Sequence, residues 1–87
     1  MAFARLAFSS DGVRALSLLP SGSRGTIVHV RPHQGDRVDR LLALGVTPGA
    51  RVTVLQQFPG VVFLCDQTEL AVERGVADVI LVRPAEE

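Results

Sequence analysis

The sequence predicts a small, mainly β domain: a strongly bent barrel of about five short strands, with one short α-helix inserted after the first strand. Three observations predict this fold class. The chain has 87 residues, the size of a single domain. Five short runs are rich in β-branched and apolar residues and are separated by turn residues. One segment between the first two runs has the spacing of an amphipathic helix.

The five predicted strands cover residues 25–31, 51–56, 61–65, 68–72 and 79–82, and Pro84 is expected to stop the last one. Strands this short do not form a stable open sheet in water, and closing the sheet on itself removes its exposed edges. The pattern therefore favours a small SH3-like barrel. A five-stranded OB-type barrel is the structural alternative.

The predicted helix covers about residues 35–44, with Asp36 as its N-cap. Its buried stripe is expected to consist of three apolar residues at i, i+3 and i+4, namely Val38, Leu41 and Leu42. Gly45 is expected to adopt the left-handed conformation that ends a helix. Later in the chain, residues 75–78 are compatible with one further helical turn.

The chain divides into a short extension and one domain. The domain is expected to span residues 15–84, which contain all five strands and the helix. Residues 1–14 contain a few apolar residues at helical spacing, followed by a Ser-Ser-Asp-Gly break. This extension is consistent with a frayed tail, with one helical turn or with an added edge strand.

The composition excludes several classes of function. Nine arginines balance nine acidic residues, so the net charge of zero argues against nucleic acid as a partner and against a polybasic membrane anchor. The longest apolar run, residues 61–65, is too short to span a bilayer, and the N-terminus lacks a clear signal peptide. Cys65 is the only cysteine, which excludes an intrachain disulfide and fits a reducing cytoplasm. These features predict a cytoplasmic protein without membrane insertion.

The sequence offers no catalytic constellation, no cofactor motif and no dedicated metal site. Cys65 lies inside an apolar strand, so it is expected to be a buried, slowly reacting thiol rather than a nucleophile. His29 and His33 flank a proline turn, and two histidines do not supply the three or four ligands of a transition-metal site. A strand position exposed to solvent is the expected place of His29. We therefore expect no enzymatic activity.

The segment from Arg40 to Gly49 reads RLLALGVTPG, and it resembles a family signature of the form RLxxLGhxPG, in which h is apolar. The signature is that of the bacterial ferrous iron transport protein A family, FeoA. The resemblance extends from about Leu16 to Val82. The family's opening pattern and its closing strand-turn-strand match at Leu16, Leu19, Gly22, Leu70, Ala71, Val72, Ala77, Ile80 and Val82.

The sequence departs from the family pattern at two places. Many members carry a Pro-x-Gly-Asp-Pro-like loop before the third strand, whereas here a shorter Pro59-Gly60 loop lacks the acidic residue. Many members also have a basic residue directly after the fourth strand, where this chain has Glu73 followed by Arg74.

The resemblance implies a small cytosolic accessory protein of ferrous iron uptake that binds the cytosolic part of the membrane transporter FeoB. We expect Fe²⁺ to be associated with the transport system rather than held as a cofactor, and the sequence leaves a homo-oligomer open. The expected partner-binding residues lie at the helix end and in the next turn: Arg40, Leu44, Val46 and Pro48. The alternative is an iron-binding or other divalent-metal sensor domain of a regulator.

Overall fold

The structure, a computed structural model, describes residues 12–32 and 37–85. Its elements follow one another in the order β1 Arg14–Ala15, a 3₁₀ turn Leu16–Leu18, β2 Arg24–Val30, α1 Arg37–Ala43, β3 Arg51–Gln56, β4 Val61–Cys65, β5 Thr68–Val72, α2 Arg74–Ala77 and β6 Ile80–Pro84. The mainly β class, the five strands and the inserted helix are confirmed. The additional helical turn forms α2, and β1 is a sixth strand. The expected N-cap Asp36, His33 and residues 1–11 of the extension lie outside the described residues.

The strands form one antiparallel sheet in the order β1-β6-β2-β3-β4-β5. Within the described residues no ladder joins β5 to β1, so the barrel is not closed by hydrogen bonds as the sequence suggested. Bulges between Ile27 and His29 in β2 and between Val54 and Gln56 in β3 bend the sheet. The bent sheet leaves β5 as an edge strand.

The end of β6 also differs from the prediction, because Pro84 lies within the strand rather than after it. Pro84 pairs with Gly25 of β2 on one side. On the other side, among residues 12–32 and 37–85, the ladder with β1 comprises Leu81 and Val82 and does not reach Pro84. Proline lacks an N–H, and it is tolerated where a strand has an unpaired side.

The core lies on the concave face of the sheet and is covered by the 3₁₀ turn and the two helices. Its largest fully buried apolar side chains are Phe63, Leu16, Ile27, Ile80, Val46, Val54, Val61 and Val82. From α1, Leu41 reaches this core with 6% of its surface exposed, whereas Leu42 is 46% exposed. The expectation that Leu42 belongs to the buried stripe is therefore wrong, because its side chain lies on the solvent side of α1. The side chain of Val38, the third residue of the expected stripe, lies outside the described part of the structure.

A hydrogen-bond network joins the 3₁₀ turn, the β3–β4 loop and α2. The Gln57 amide donates to the backbone oxygens of Ser17 and Leu19, at 2.9 and 2.5 Å. Arg74 donates to the carbonyl of Gln57 at 2.7 Å and to that of Ser17 at 3.2 Å. The Ser17 hydroxyl, itself buried, donates to the Asp78 carboxylate. The network satisfies backbone acceptors where the chain has no ladder partner.

Candidate functional site

An apolar groove of about 290 Å³ runs between α1 and the edge strand β5. One wall is formed by α1 and the other by β5 and the start of α2. The lining residues are Arg40, Leu41, Leu44, Leu70, Ala71, Val72, Glu73 and Val76. Six of these eight side chains are aliphatic, and the two charged residues, Arg40 and Glu73, are both exposed. The groove therefore combines an apolar interior with charged side chains that remain in contact with solvent.

The glycine that ends α1 determines which residues at the C-terminus of the helix form the groove wall. Gly45 has a φ of +97°, which confirms the predicted left-handed conformation. Its N–H bonds to the Leu42 carbonyl at 3.1 Å, and the Val46 N–H bonds to the Leu41 carbonyl at 3.0 Å. This pair of bonds is the Schellman motif, in which the residue after the glycine packs back toward the last turn. As a result Leu44 is left at the mouth of the groove, with 49% of its surface exposed.

The structure brings together two of the four residues expected at the partner surface. Arg40 and Leu44 both line the groove. Pro48 is exposed in the following turn but does not line it. Val46 has none of its surface exposed, which corrects its place in the predicted contact patch. The Schellman motif explains the correction, because it turns the Val46 side chain into the core beside Leu41.

The other wall of the groove was not predicted from the sequence. Leu70 and Val72 project from β5 and are half-buried, Glu73 follows the strand, and Val76 is a buried residue of α2. The sequence indicates which residues of β5 are apolar but not that β5 lies at a sheet edge beside α1. A signal exists in the strand pattern, because Leu70 and Val72 alternate with exposed positions as in a strand with one buried side.

Cys65 is confirmed as a buried residue, with 3% of its surface exposed. Its thiol contacts the carbonyl oxygen of Gly45 at 3.5 Å. Burial raises the pKa of the Cys65 thiol above its ordinary value, and the negative charge of Asp66 adds to the rise. A thiol that is protonated and buried is a poor nucleophile and a poor metal ligand.

Among the residues that the structure describes, no group of three or more His, Cys, Asp and Glu side chains is arranged to hold a metal ion. His29 is exposed on β2, as expected. None of the helices in these same parts of the chain has the length and apolar character needed to cross a membrane.

Solved structures with the same fold include several FeoA proteins. An iron uptake regulatory protein, FeoA, superposes with a TM-score of 0.74 at 26% identity, covering 84% of this chain and 97% of its own. The FeoA protein from Chlorobium tepidum has a TM-score of 0.71 at 30% identity, covering 79% of this chain and 68% of its own. A comparison with curated proteins found no match.

The third similar structure is Stenotrophomonas maltophilia FeoA complexed with zinc, described as a procaryotic SH3 domain protein. Its TM-score is 0.72 at 22% identity, and the match covers 83% of this chain and 95% of that one. This likeness supports the SH3-like assignment of the bent sheet. The family model of the FeoA domain matches residues 14–84, which include every strand and both helices. The chain therefore belongs to the FeoA domain family, which is associated with ferrous iron transport.

Proposed function

We propose that this protein is a non-enzymatic accessory protein of ferrous iron uptake. It acts in the cytoplasm by binding the cytosolic part of the membrane transporter FeoB through the groove between α1 and β5. Membership of the FeoA domain family supports the link to ferrous iron transport. The S. maltophilia relative is described as possibly acting as a bacterial ferrous iron transport activating factor. That description is compatible with a protein-binding role in this chain.

The observation that carries the proposal is the exposed apolar surface of the groove. Leu44 leaves 49% of its surface in solvent, and the half-buried Leu70 and Val72 face it across the groove. An apolar concavity with an arginine at its rim has the composition of a protein interface, where aliphatic anchors are buried and Arg is enriched. A groove between a helix and an edge strand also matches the shape of a short apolar segment of a partner.

The sharpest test compares two leucines of the same helix end. Leu44 lines the groove, whereas Leu42 does not, and their exposed fractions are nearly equal at 49% and 46%. Leu44→Gln should weaken binding to the soluble cytosolic region of FeoB by about 5- to 150-fold, or ~1–3 kcal/mol, because it places an amide in the apolar interface. Leu42→Gln should bind like the parent. Isothermal calorimetry measures both affinities.

The two leucine variants give distinct outcomes. Equal losses for Leu42→Gln and Leu44→Gln would move the contact from the groove to the outer side of α1. Unchanged affinity in both variants would remove α1 from the interface. Absence of binding by the parent itself would overturn the proposed partner.

Arg40 provides a second test on the same wall of the groove. Arg40→Glu reverses a charge at the rim and should weaken the same binding by about 1–3 kcal/mol. The same variant should change the free energy of unfolding by less than ~0.5 kcal/mol, because Arg40 is an exposed helix residue. A large loss of stability in a thermal melt would assign Arg40 a structural role through its contacts within the chain.

The divalent-metal sensor remains the second hypothesis from the sequence. Nothing in residues 12–32 and 37–85 favours it, since these ranges contain no group of three or more candidate ligands. A calorimetric titration with Fe²⁺ under anaerobic conditions separates the two hypotheses. Micromolar or tighter binding with a defined stoichiometry would favour the sensor.

A further inference from the structure

Three arginines lie together on the outer, convex face of the sheet. Thr26 of β2 is directly opposite Arg51 of β3 on one side and Arg83 of β6 on the other. Residues directly opposite each other on neighbouring strands project to the same face. Arg24 precedes Thr26 by two positions, so it projects to this face as well, directly opposite Thr53 of β3.

We call these five residues the basic sheet face: Arg24, Thr26, Arg51, Thr53 and Arg83. Arg24, Arg51 and Arg83 are all exposed. Most of the face surrounds an open hollow of about 430 Å³, which is lined by Arg24, Thr26, Arg51, Thr53 and Ala85 together with Gly25 and Val52. None of the residues that line the α1–β5 groove belongs to this face.

Within the described residues, the side chains of the three arginines make no hydrogen bond or ion pair. The acidic residue nearest to them along the ladder is Asp66, whose carboxylate accepts a hydrogen bond from the Arg51 backbone N–H at 3.2 Å. That bond holds Asp66 at the β4–β5 turn, beyond the last pair of β3 and β4. The three guanidinium groups therefore present most of their hydrogen-bond donors to solvent.

The charge on the convex face changes sign across the sheet. Directly opposite residues on neighbouring strands form a row across the sheet. The row that contains Arg24 of β2 continues through Thr53 of β3 and Leu64 of β4 to Glu69 on the edge strand β5. Leu55 of β3, which is 43% exposed, contributes further apolar surface between the two ends. Glu69 interrupts the positive charge at this edge, so the face lacks the continuous basic surface that binds a long polyanion such as nucleic acid or an anionic lipid surface. A protein surface with separate acidic and apolar parts fits this order of charges.

We infer that the basic sheet face binds an acidic segment of a protein, in which two or three carboxylates stand next to apolar residues. Neighbouring strands are ~4.8 Å apart, so the backbones at Arg51 and Arg83 are separated by about 10 Å. Alternate side chains of an extended segment are spaced by ~7 Å, a distance that the flexible arginine side chains readily match. Each guanidinium then binds one carboxylate through two parallel N–H···O bonds.

The probe is a synthetic peptide in which glutamates at alternate positions are followed by valines at alternate positions, so that both kinds of side chain project to the same side of an extended chain. Its control has glutamine in place of every glutamate. Titration followed by NMR should shift the guanidinium N–H signals of Arg24, Arg51 and Arg83 with the glutamate peptide only. Added salt should weaken this binding, because the contacts are ionic and exposed.

Two double variants, each of which removes two arginine charges, test whether the position of the charges matters. Arg51→Gln/Arg83→Gln should bind the glutamate peptide about 2- to 30-fold more weakly than the parent, the loss expected for two solvent-exposed ion pairs. Arg14→Gln/Arg31→Gln removes the same charge from two exposed arginines outside the face and should bind like the parent. Arg51→Lys/Arg83→Lys should retain part of the affinity, since the charge remains but the bidentate geometry is lost.

Three results would overturn the inference: equal weakening by the two glutamine double variants, equal binding of the glutamine peptide, or no shift at the three arginines. Parallel titrations with pyrophosphate and with phosphatidylglycerol vesicles test two other anionic ligands, a phosphate compound and a lipid surface. Tighter binding of either through the same arginines would replace the acidic protein segment by a phosphate ligand or a lipid surface. Because the face and the groove share no residue, these outcomes do not depend on binding in the groove.

Discussion

At the residue scale, Gly45 links the family signature to the shape of the groove. Its φ of +97° allows the two Schellman bonds that bury Val46 and leave Leu44 at the groove mouth. An added Cβ at Gly45 would meet no atom within 4 Å, so space is not what requires glycine here. The requirement comes from the backbone angle, which side chains other than that of glycine rarely adopt.

We predict that Gly45→Val destabilises the protein by more than ~1 kcal/mol, because a β-branched residue is strained in the left-handed region. Gly45→Asn should cost less, since asparagine tolerates this conformation. Urea unfolding followed by circular dichroism measures both variants. A parent-like midpoint for Gly45→Val would contradict the role of the backbone angle.

Cys65 allows a test that few proteins offer, because the sequence contains neither lysine nor tyrosine. Between about pH 9 and 11 it is therefore the only type of side chain in this sequence that titrates. Burial raises the pKa of Cys65 in the folded state above its unfolded value. The folded state then holds a proton that the unfolded state has lost, so stability is retained at low pH and decreases as the pH rises through this window.

We predict that the free energy of unfolding falls with a slope of at most ~1.4 kcal/mol per pH unit between the unfolded and folded pKa values of Cys65. Cys65→Ala should be less stable at neutral pH but flat over the same range. The native thiol should also react slowly with a thiol reagent. Stoichiometric modification within seconds in the absence of denaturant would contradict its buried position.

At the element scale, the β3–β4 loop is held by side-chain donors rather than by a ladder. Gln57 is half-buried and bonds to the 3₁₀ turn, whereas its neighbour Gln56 is exposed at the end of β3. The sequence predicted a turn here but gave no indication that the loop is bonded to residues about forty positions earlier. Only the folded chain brings Gln57, Ser17 and Arg74 together.

We predict that Gln57→Ala costs about 1–3 kcal/mol, because it removes the donor to the Leu19 carbonyl and one of the two donors to the Ser17 carbonyl. Gln56→Ala is the matched control and should stay within ~0.5 kcal/mol of the parent. Thermal unfolding of the two variants measures the difference. Equal effects would show that the network does not contribute to stability.

At the scale of the whole molecule, the bent sheet depends on a close approach between β2 and β6. A Cβ at Gly25 would lie 2.5 Å from the Arg83 carbonyl oxygen and 2.6 Å from Val82 Cγ1. Gly25 pairs with Pro84 on β6 and with Val52 on β3, so it lies in the interior of the sheet. The missing side chain lets the neighbouring strand pack directly against the backbone.

We predict that Gly25→Ala destabilises the fold by about 1–3 kcal/mol or more, because backbone atoms must move to admit the methyl group. Gly75→Ala provides the opposite case. Gly75 lies in α2, and a Cβ added there would meet no atom within 4 Å. The substitution should stabilise the protein by up to ~1 kcal/mol. Chemical denaturation ranks the two variants, and a neutral Gly25→Ala would refute the close packing of β2 on β6.

Local rules in the sequence by themselves determined the strands, the inserted helix, the left-handed Gly45 and the buried Cys65. β-branched runs, helical spacing and a glycine stop act over a few neighbouring residues, so they can be read without knowledge of the fold. The resemblance of residues 40–49 also identified the family that residues 14–84 match. Of the residues expected to bind a partner, Arg40 and Leu44 both line the α1–β5 groove, and their role in binding stays a prediction.

Only the tertiary structure decided which neighbour covers each element. It buried Val46 and exposed Leu42, left β5 at the sheet edge, and formed a groove from α1 and β5. It also set the strand register that places arginines of three strands on one face. The physical reason is that periodicity fixes which side of an element is apolar, whereas pairing between strands distant in sequence fixes what that side meets.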